Sequence, residues 1–181
     1  MRITVSGLPG SGTTSLARHL AATRNYTLIS AGEVFRQMAA EKGLDIAEFG
    51  RRAEQDPSID REIDARQREI AESRDEIIAE GRLSGWCVRN ADLKIWLQAS
   101  MECRVARIFS RDTLEDIDTA LLLTREREAS EAHRYREYYS ININDLSPYH
   151  LILNSEKFGV EDLSAVVEAA IERVERGHPL H

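Results

Sequence analysis

Residues 7–14 read Gly-Leu-Pro-Gly-Ser-Gly-Thr-Thr, and they directly follow a short apolar run at residues 2–5. The first and last glycines and the final hydroxyl match the phosphate-binding pattern G-x-x-x-x-G-K-[ST], whereas Thr13 stands where that pattern has lysine. Glycines let successive backbone N–H groups close around an anion, and a following helix points its positive end at the phosphates. The stretch therefore predicts a strand–loop–helix unit that binds a nucleotide.

The whole loop and the first residues of the following helix are predicted to contact ATP: Gly7, Leu8, Pro9, Gly10, Ser11, Gly12, Thr13, Thr14 and Ser15. The Thr14 hydroxyl is also predicted to ligate Mg²⁺. Thr13 could hydrogen-bond a phosphate oxygen but brings no charge. Because the chain holds 24 basic residues of which only Lys42, Lys94 and Lys157 are lysines, arginines are expected to supply the missing charge. The alternative is a loop that binds nucleotide without turning it over.

The composition bounds the remaining possibilities. A chain of 181 residues with 42% hydrophobic residues predicts a single globular domain. A net charge of −7 argues against nucleic-acid binding, and no run reaches the ~20 apolar residues that a membrane span needs. The N-terminus lacks a signal-peptide pattern, and Cys87 and Cys103 show no metal-site spacing. These features favour a cytoplasmic location with reduced thiols.

Apolar runs alternate with helical stretches, which predicts an α/β fold with a parallel sheet flanked by helices. The five candidate strands are Arg2–Ser6, Tyr26–Ile29, Glu76–Glu80, Leu93–Leu97 and His150–Leu153. In the last helix an apolar face is predicted from Leu163, Val166, Val167, Ala170, Ile171 and Val174. Two charged helical stretches, 31–75 and 111–139, are predicted to be insertions over the carboxyl edge of the sheet. The core then comprises about 1–30, 76–110 and 140–181.

Further candidates follow the other strands. After the second strand, Ser30, Gly32 and Arg36 are predicted to bind the acceptor, and Arg36 suits its phosphate. The third strand ends at Glu80, which could hold Mg²⁺ directly or through water, and Arg82 could reach a phosphate. After the fourth strand, Arg104, Arg107 and Arg111 share one helix face, which suggests an anion beside them.

Together these motifs resemble those of nucleoside monophosphate kinases, and most closely the archaeal-type cytidylate kinases. The resemblance rests on the loop, on 30–36, on Glu80-Gly81-Arg82, on 107–111 and on the pair Arg127 and Arg134. The replacement of lysine by threonine in the loop is typical of that branch. The resemblance implies a P-loop NTPase fold with a five-stranded parallel sheet, an acceptor-binding insertion near 31–75 and a lid near 111–139.

The resemblance also implies an activity: transfer of the ATP γ-phosphoryl group to CMP, and to dCMP, with Mg²⁺. It implies that Arg36 and Arg82 hold the acceptor phosphate and that Arg107 lies against the adenine, which the backbone of 154–157 lines. Arg111, Arg127 and Arg134 would surround the migrating phosphoryl group. The expected partners are these nucleotides, with no nucleic acid, no membrane and a monomeric chain.

One position departs from the bacterial cytidylate kinases, whose Asp-Gly-Arg-Asp motif corresponds to residues 80–83 here. Their second aspartate helps to read cytosine, and Leu83 cannot do so. Asp60, Asp64 and Gln67 have suitable chemistry to read the base instead. Two alternatives stay open at this point: a kinase for AMP or UMP, and a non-catalytic nucleotide-binding regulator.

Overall fold

The computed structural model describes residues 1–44, 46–112 and 116–177. The strands of this part are β1 (Arg2–Gly7), β2 (Thr27–Ser30), β3 (Ile77–Glu80), β4 (Leu93–Gln98) and β5 (Leu151–Asn154). They form one parallel sheet in the order β2-β3-β1-β4-β5. The predicted α/β fold with a five-stranded parallel sheet is confirmed, and each predicted strand lies within one residue of its observed bounds.

Helices separate successive strands in this part of the chain. Their bounds are α1 (Thr13–Arg24), α2 (Ala31–Glu41), α3 (Ile46–Gln55), α4 (Pro57–Glu72), α5 (Ser84–Cys87), α6 (Met101–Asp112), α7 (Ile117–Tyr139) and α8 (Val160–Glu175). The single turn α5 has no counterpart in the sequence prediction, because four residues give no helical periodicity. None of the described helices is long and apolar enough to cross a membrane.

One face of the sheet is covered by α1 and α8. Leu16 and Leu20 of α1 and Val167 and Ile171 of α8 are fully buried against β-strand residues such as Ile95. Burial on this scale drives the packing, since each such aliphatic side chain contributes about 1.5–3 kcal/mol. The predicted apolar face of α8 is therefore correct at its centre.

The same prediction is wrong at two positions of α8. Val166 and Val174 keep 46% and 39% of their surface exposed. Their spacing along the sequence matches that of the buried positions, but they lie at the margins of the stripe, where the sheet no longer covers them. Periodicity alone marks a wide apolar stripe and does not show how much of it a neighbouring element reaches.

The opposite face carries the two predicted insertions. Helices α2, α3 and α4 fill residues 31–72 and share a buried cluster that contains Phe49, Ile59 and Ile77. The carboxyl half of α7 packs on a second cluster through Tyr135, beside Trp96 and Tyr149. Both groups of helices project over the edge where β1 and β3 end, so that they enclose a cleft in front of the loop after β1.

Candidate active site

The cleft lies at the carboxyl edge of the sheet and has a volume of about 1370 Å³. Most of the predicted site residues line it: Gly10, Ser11, Gly12, Thr13, Thr14, Ser15, Ser30, Gly32, Arg36, Asp60, Asp64, Glu80, Arg82, Arg107, Arg111, Arg127 and Arg134. Gly7, Leu8 and Pro9 do not, so the nucleotide contacts expected of them are not supported. Gly7 closes β1, Leu8 packs against the cluster around Trp96, and Pro9 is buried.

The loop has a backbone that requires glycine at two points. Gly10 and Gly12 adopt φ values of 81° and 94°, which side chains with a Cβ rarely tolerate. A Cβ on Gly10 would also lie only 2.6 Å from the carbonyl oxygen of Arg104. Since α1 begins at Thr13, directly after Gly12, its first N–H groups point into the cleft at the place where a phosphate would lie.

Arg104 supports this loop from behind. Its Nη1 donates to the carbonyl oxygen of Pro9 at 3.1 Å, its Nε donates to that of Ala99, and it is ion-paired with Glu128. The expectation that Arg104 faces an anion together with Arg107 and Arg111 is therefore wrong. Sequence spacing placed the three on one helix face, but burial against the loop and the carboxylate of Glu128 hold Arg104 away from the cleft.

Three hydroxyl groups contact the Glu80 carboxylate at the end of β3. Its Oε1 accepts from Thr13 Oγ1 at 2.8 Å and lies 3.4 Å from Thr14 Oγ1, and its Oε2 accepts from Ser30 Oγ at 2.7 Å. Thr13 and Ser30 are thus hydrogen-bonded to Glu80, although the sequence suggested contact with ATP for Thr13 and with the acceptor for Ser30. Parallel pairing explains the cluster, because Glu80 is level with Ser30 on β2 and with Val5, two residues before the loop, on β1.

The donor set around Glu80 fits Mg²⁺. Carboxylate and hydroxyl oxygens are the hard ligands that this ion prefers, and it often reaches carboxylates through its own water. In the described part of the chain no three His, Cys, Asp or Glu side chains converge as a metal site. An ion held by Thr14 and Glu80 would consequently depend on the phosphates of a nucleotide for its other ligands.

Gln67 does not face the cleft, which corrects its suggested role in reading the base. The side chain is 1% exposed. Its Nε2 donates to the Glu80 carbonyl oxygen at 2.7 Å, and its Oε1 accepts from Ser84 Oγ at 3.1 Å. Both ends of the amide are therefore used in fixing the turn after β3.

A buried carboxylate joins the core to α7. Glu131 Oε2 accepts from Arg82 Nε at 2.9 Å, and its Oε1 accepts from Arg127 Nε at 2.8 Å. Arg82 also donates to the Gly7 carbonyl oxygen at 3.0 Å. Although burial raises the pKa of Glu131, the two guanidinium groups lower it below its ordinary value, so the group is ionised. Two arginines are thereby held side by side at the cleft wall that faces the loop.

Two further contacts join α7 to α4. Arg134 Nη1 lies 3.0 Å from Asp60 Oδ2 in an ion pair, and Tyr139 Oη donates to Asp64 Oδ2 at 2.6 Å. Burial raises the pKa of Asp64 to about 6, against a smaller lowering by the Tyr139 hydrogen bond, and burial also raises the pKa of Asp60. Of the two carboxylates that the sequence suggested for base recognition, Asp60 is therefore buried and Asp64 partly buried, and both are already engaged by α7.

The remaining arginines differ in how firmly they are held. Arg107 donates to the carbonyl oxygens of Gly10 and Ser155, so it is fixed beside the loop. Arg111 pairs with its neighbour Asp112 and is exposed. Arg36 has no ion-pair partner among the residues that the structure describes, which leaves it available for an anion.

Sequence reasoning missed two residues of this arrangement, Glu131 and Tyr139, and one contact of a third, Ser155. Glu131 was visible only as one of several glutamates among arginines, and its i+4 spacing from Arg127 was the available signal. Tyr139 gave no signal, because its partner Asp64 is 75 residues away. Ser155 was expected only as part of the backbone of 154–157, and its contact with Arg107, 48 residues away, gave no signal. Only the folded chain brings these pairs together.

The comparisons with known proteins agree with one another. Residues 2–157 match the model of the cytidylate kinase-like family. The chain is 62% identical to a cytidylate kinase of Methanoregula boonei, over 97% of both chains, and 61% identical to one of Methanospirillum hungatei, over 97% of this chain and 99% of that one. A shikimate kinase structure from Bacteroides thetaiotaomicron superposes with a TM-score of 0.67 at 14% identity, over 95% of this chain and 98% of that one. At that identity the likeness shows a shared fold alone.

Proposed function

The chain belongs to the cytidylate kinase-like family, and from this membership we propose that it transfers the γ-phosphoryl group of ATP to CMP and dCMP. The products are ADP and the corresponding diphosphate. The close cytidylate kinase relatives support this assignment, because they are 61–62% identical to the chain over 97% of its length. A monomeric state and a cytoplasmic location stay predictions.

The observation that carries the proposal is the position of Arg82 and Arg127. Both are hydrogen-bonded to Glu131, and they line the cleft together with the glycine-rich loop. Phosphoryl transfer needs cations that surround the migrating group between two in-line oxygens, and it needs little covalent chemistry from the protein. A cleft with a phosphate-binding loop and several arginines meets that need.

We assign the two helical regions by what they present to this cleft. Residues 31–75 would bind the acceptor, with Arg36 and Arg82 on its phosphate and with Asp60 and Asp64 near its base. Residues 111–139 would form the lid, from which Arg111, Arg127 and Arg134 reach the migrating phosphoryl group. A lid of this kind excludes water, which would otherwise compete as the acceptor.

The donor side is assigned in the same way. Gly10, Ser11 and Gly12 would present backbone N–H groups to the ATP phosphates, and Arg107 would lie against the adenine beside Ser155. Mg²⁺, when bound at Thr14 and Glu80, supplies charge neutralisation between the phosphates. The attacking oxygen belongs to the CMP phosphate and is an anion near neutral pH, so no strong general base is required.

The experiment that tests the proposal is ADP release with Mg·ATP and each of CMP, dCMP, UMP, AMP and GMP. We expect fast turnover with CMP and dCMP and at least tenfold lower kcat/KM with the other three acceptors. This is the selectivity expected from the loss of one hydrogen bond to a charged group, which costs about 1.5–3 kcal/mol. The reaction without acceptor is the control. A higher kcat/KM for AMP or UMP would refute the substrate, and ATP binding without turnover for any acceptor would indicate a regulator.

A further inference from the structure

Thr13 occupies the position where the phosphate-binding pattern has lysine, yet its side chain does not lie open to the cleft as that of Thr14 does. Thr13 is 5% exposed, and its Oγ1 donates to Glu80 Oε1 at 2.8 Å. Thr14 is exposed at the cleft surface. The two neighbouring threonines of the loop therefore differ: the Thr13 hydroxyl is used in a buried hydrogen bond, whereas the Thr14 side chain is open to the cleft.

The shape of Thr13 fixes the direction of its hydroxyl. Its Cγ2 methyl lies against Gly7, only 3.0 Å from where a Cβ on that glycine would be. A β-branched side chain has few accessible χ1 rotamers, and contact of the methyl with Gly7 restricts them further. The hydroxyl is thereby held toward Glu80.

The hydrogen-bond partners of Glu80 are neutral hydroxyls, so they orient its carboxylate without adding positive charge. Its side-chain hydrogen bonds come from the hydroxyls of Thr13, Thr14 and Ser30, and within the described residues no ion pair reaches it. A lysine at position 13 would bring an ammonium group to the same carboxylate. It would neutralise the charge that Glu80 presents to a cation.

We propose that Thr13 is a positioning residue for Glu80, and that it is not a phosphate ligand that replaces lysine. In this arrangement the Thr13 hydroxyl holds Glu80 Oε1 toward the Thr14 side of the cleft, where Mg²⁺ would bind with ATP. Groups that orient the ligands of a metal in this way typically contribute 10–100-fold to metal affinity or activity. The proposal rests on the Mg·ATP binding assigned above but not on the identity of the acceptor.

The test is calorimetric binding of ATP, with Mg²⁺ and with EDTA, to the wild type and to Thr13→Val and Thr13→Ser. Valine keeps the branched shape and removes the hydroxyl, whereas serine keeps the hydroxyl and removes the methyl. We expect Thr13→Val to weaken Mg·ATP binding about 10-fold or more while metal-free ATP binding changes less than about twofold. Thr13→Ser should recover most of the loss.

The opposing outcomes are distinct. An equal loss of affinity with and without Mg²⁺ would identify Thr13 as a phosphate ligand and overturn the proposal. Unchanged binding in both conditions would overturn it as well. No acceptor is present in these titrations, so a wrong assignment of CMP would not affect the result, whereas absent ATP binding in the wild type would refute the proposed function itself.

Two further variants keep the proposal testable if Thr13→Val does not fold, as judged by thermal unfolding. Thr13→Ala also removes the hydroxyl. If Thr13 acts through Glu80, the effects of changing both residues are not additive. Adding Thr13→Ala to Glu80→Gln should therefore lower the Mg·ATP affinity by less than about a further twofold. Full additivity would contradict the positioning role. Thr13→Lys should lower kcat and raise the Mg²⁺ concentration for half-maximal rate, and a higher kcat would overturn the proposal.

Discussion

The guanidinium of Arg134 and the carboxylate of Asp60 form an ion pair across the cleft, with Arg134 Nη1 3.0 Å from Asp60 Oδ2. Arg134 lies on α7 and Asp60 on α4, so the pair joins the proposed lid to the proposed acceptor insertion. Within the described part of the chain, Arg134 Nε and Asp60 Oδ2 are buried without a well-aligned hydrogen bond. Among the described residues, the ion pair therefore leaves two of its own polar atoms without a well-aligned hydrogen bond.

Asp60 gives the first prediction, which concerns acceptor choice. A carboxylate accepts from the amine of cytosine, whereas an amide can donate to the carbonyl that uracil has at the same place. We expect Asp60→Asn to lower kcat/KM for CMP by about 10-fold or more, the effect of losing one charge-assisted hydrogen bond. The value for UMP should fall less, so the CMP-to-UMP ratio decreases.

Steady-state kinetics with both acceptors measures that ratio. The exposed Asp118→Asn on α7 serves as the matched control. An equal fall for CMP and UMP would show that Asp60 acts through Arg134 and does not contact the base.

The lid arginines give the second prediction. Arg127→Ala and Arg134→Ala should each lower kcat by at least ~10³, because an arginine that stabilises the charge of a migrating phosphoryl group contributes 10³–10⁵-fold. Arg125→Ala is the control, since Arg125 lies exposed on the same helix. Turnover near that of the wild type in both variants would exclude these arginines from the transition state.

Glu131 gives a prediction about stability. Its replacement by glutamine removes the ion-pair partner of the mostly buried Arg82, and breaking a buried pair in this way costs about 3 kcal/mol or more. For a chain of this size we expect Tm to fall by about 6 °C or more. A nucleotide phosphate can replace the lost charge, so CMP should raise the Tm of Glu131→Gln more than that of the wild type.

Thermal unfolding with and without CMP measures both quantities. The exposed Glu137→Gln is the control. The same CMP-induced shift in variant and wild type would argue against a phosphate site between Arg82 and Arg127.

Asp64 gives a prediction about pH. Burial raises its pKa to about 6 in the folded chain from an ordinary value of 3.8, so the folded state binds more protons between these pH values. The protonated form therefore contributes to the free energy of unfolding, by at most about 3 kcal/mol. This contribution is fully present below pH 3.8 and is lost as the pH rises toward 6. In Asp64→Asn the side chain cannot ionise. The free energy of unfolding of this variant, relative to that of the wild type, should therefore be higher at pH 7 than at pH 4.

Urea unfolding of the nucleotide-free chain at pH 4, 5, 6 and 7 measures this difference. The two proteins differ in the carboxylate of Asp64 and in its repulsion with Asp60, so the difference between their curves reports this pair. Parallel curves for the two proteins would contradict the raised pKa of Asp64.

The strands, the charged helical stretches and the loop could be predicted because each depends on neighbouring residues. An apolar run bounded by glycine specifies a buried strand, and the glycines of 7–12 specify a loop that closes around an anion. For the same reason Arg36 and Arg82 could be recognised as candidates, whereas Arg127 became one through the family resemblance. Spacing was misleading for Arg104, which lies on the expected helix face but is buried against the loop carbonyl of Pro9.

The sequence by itself determined the α/β fold, the nucleotide loop and the absence of the loop lysine. Only the tertiary structure decided what the residues around that loop do. Thr13 is bonded to Glu80, 67 positions later, and Asp60 is paired with Arg134, 74 positions later. Such contacts depend on which strands lie side by side and on which helices meet across the cleft, and no local pattern encodes either.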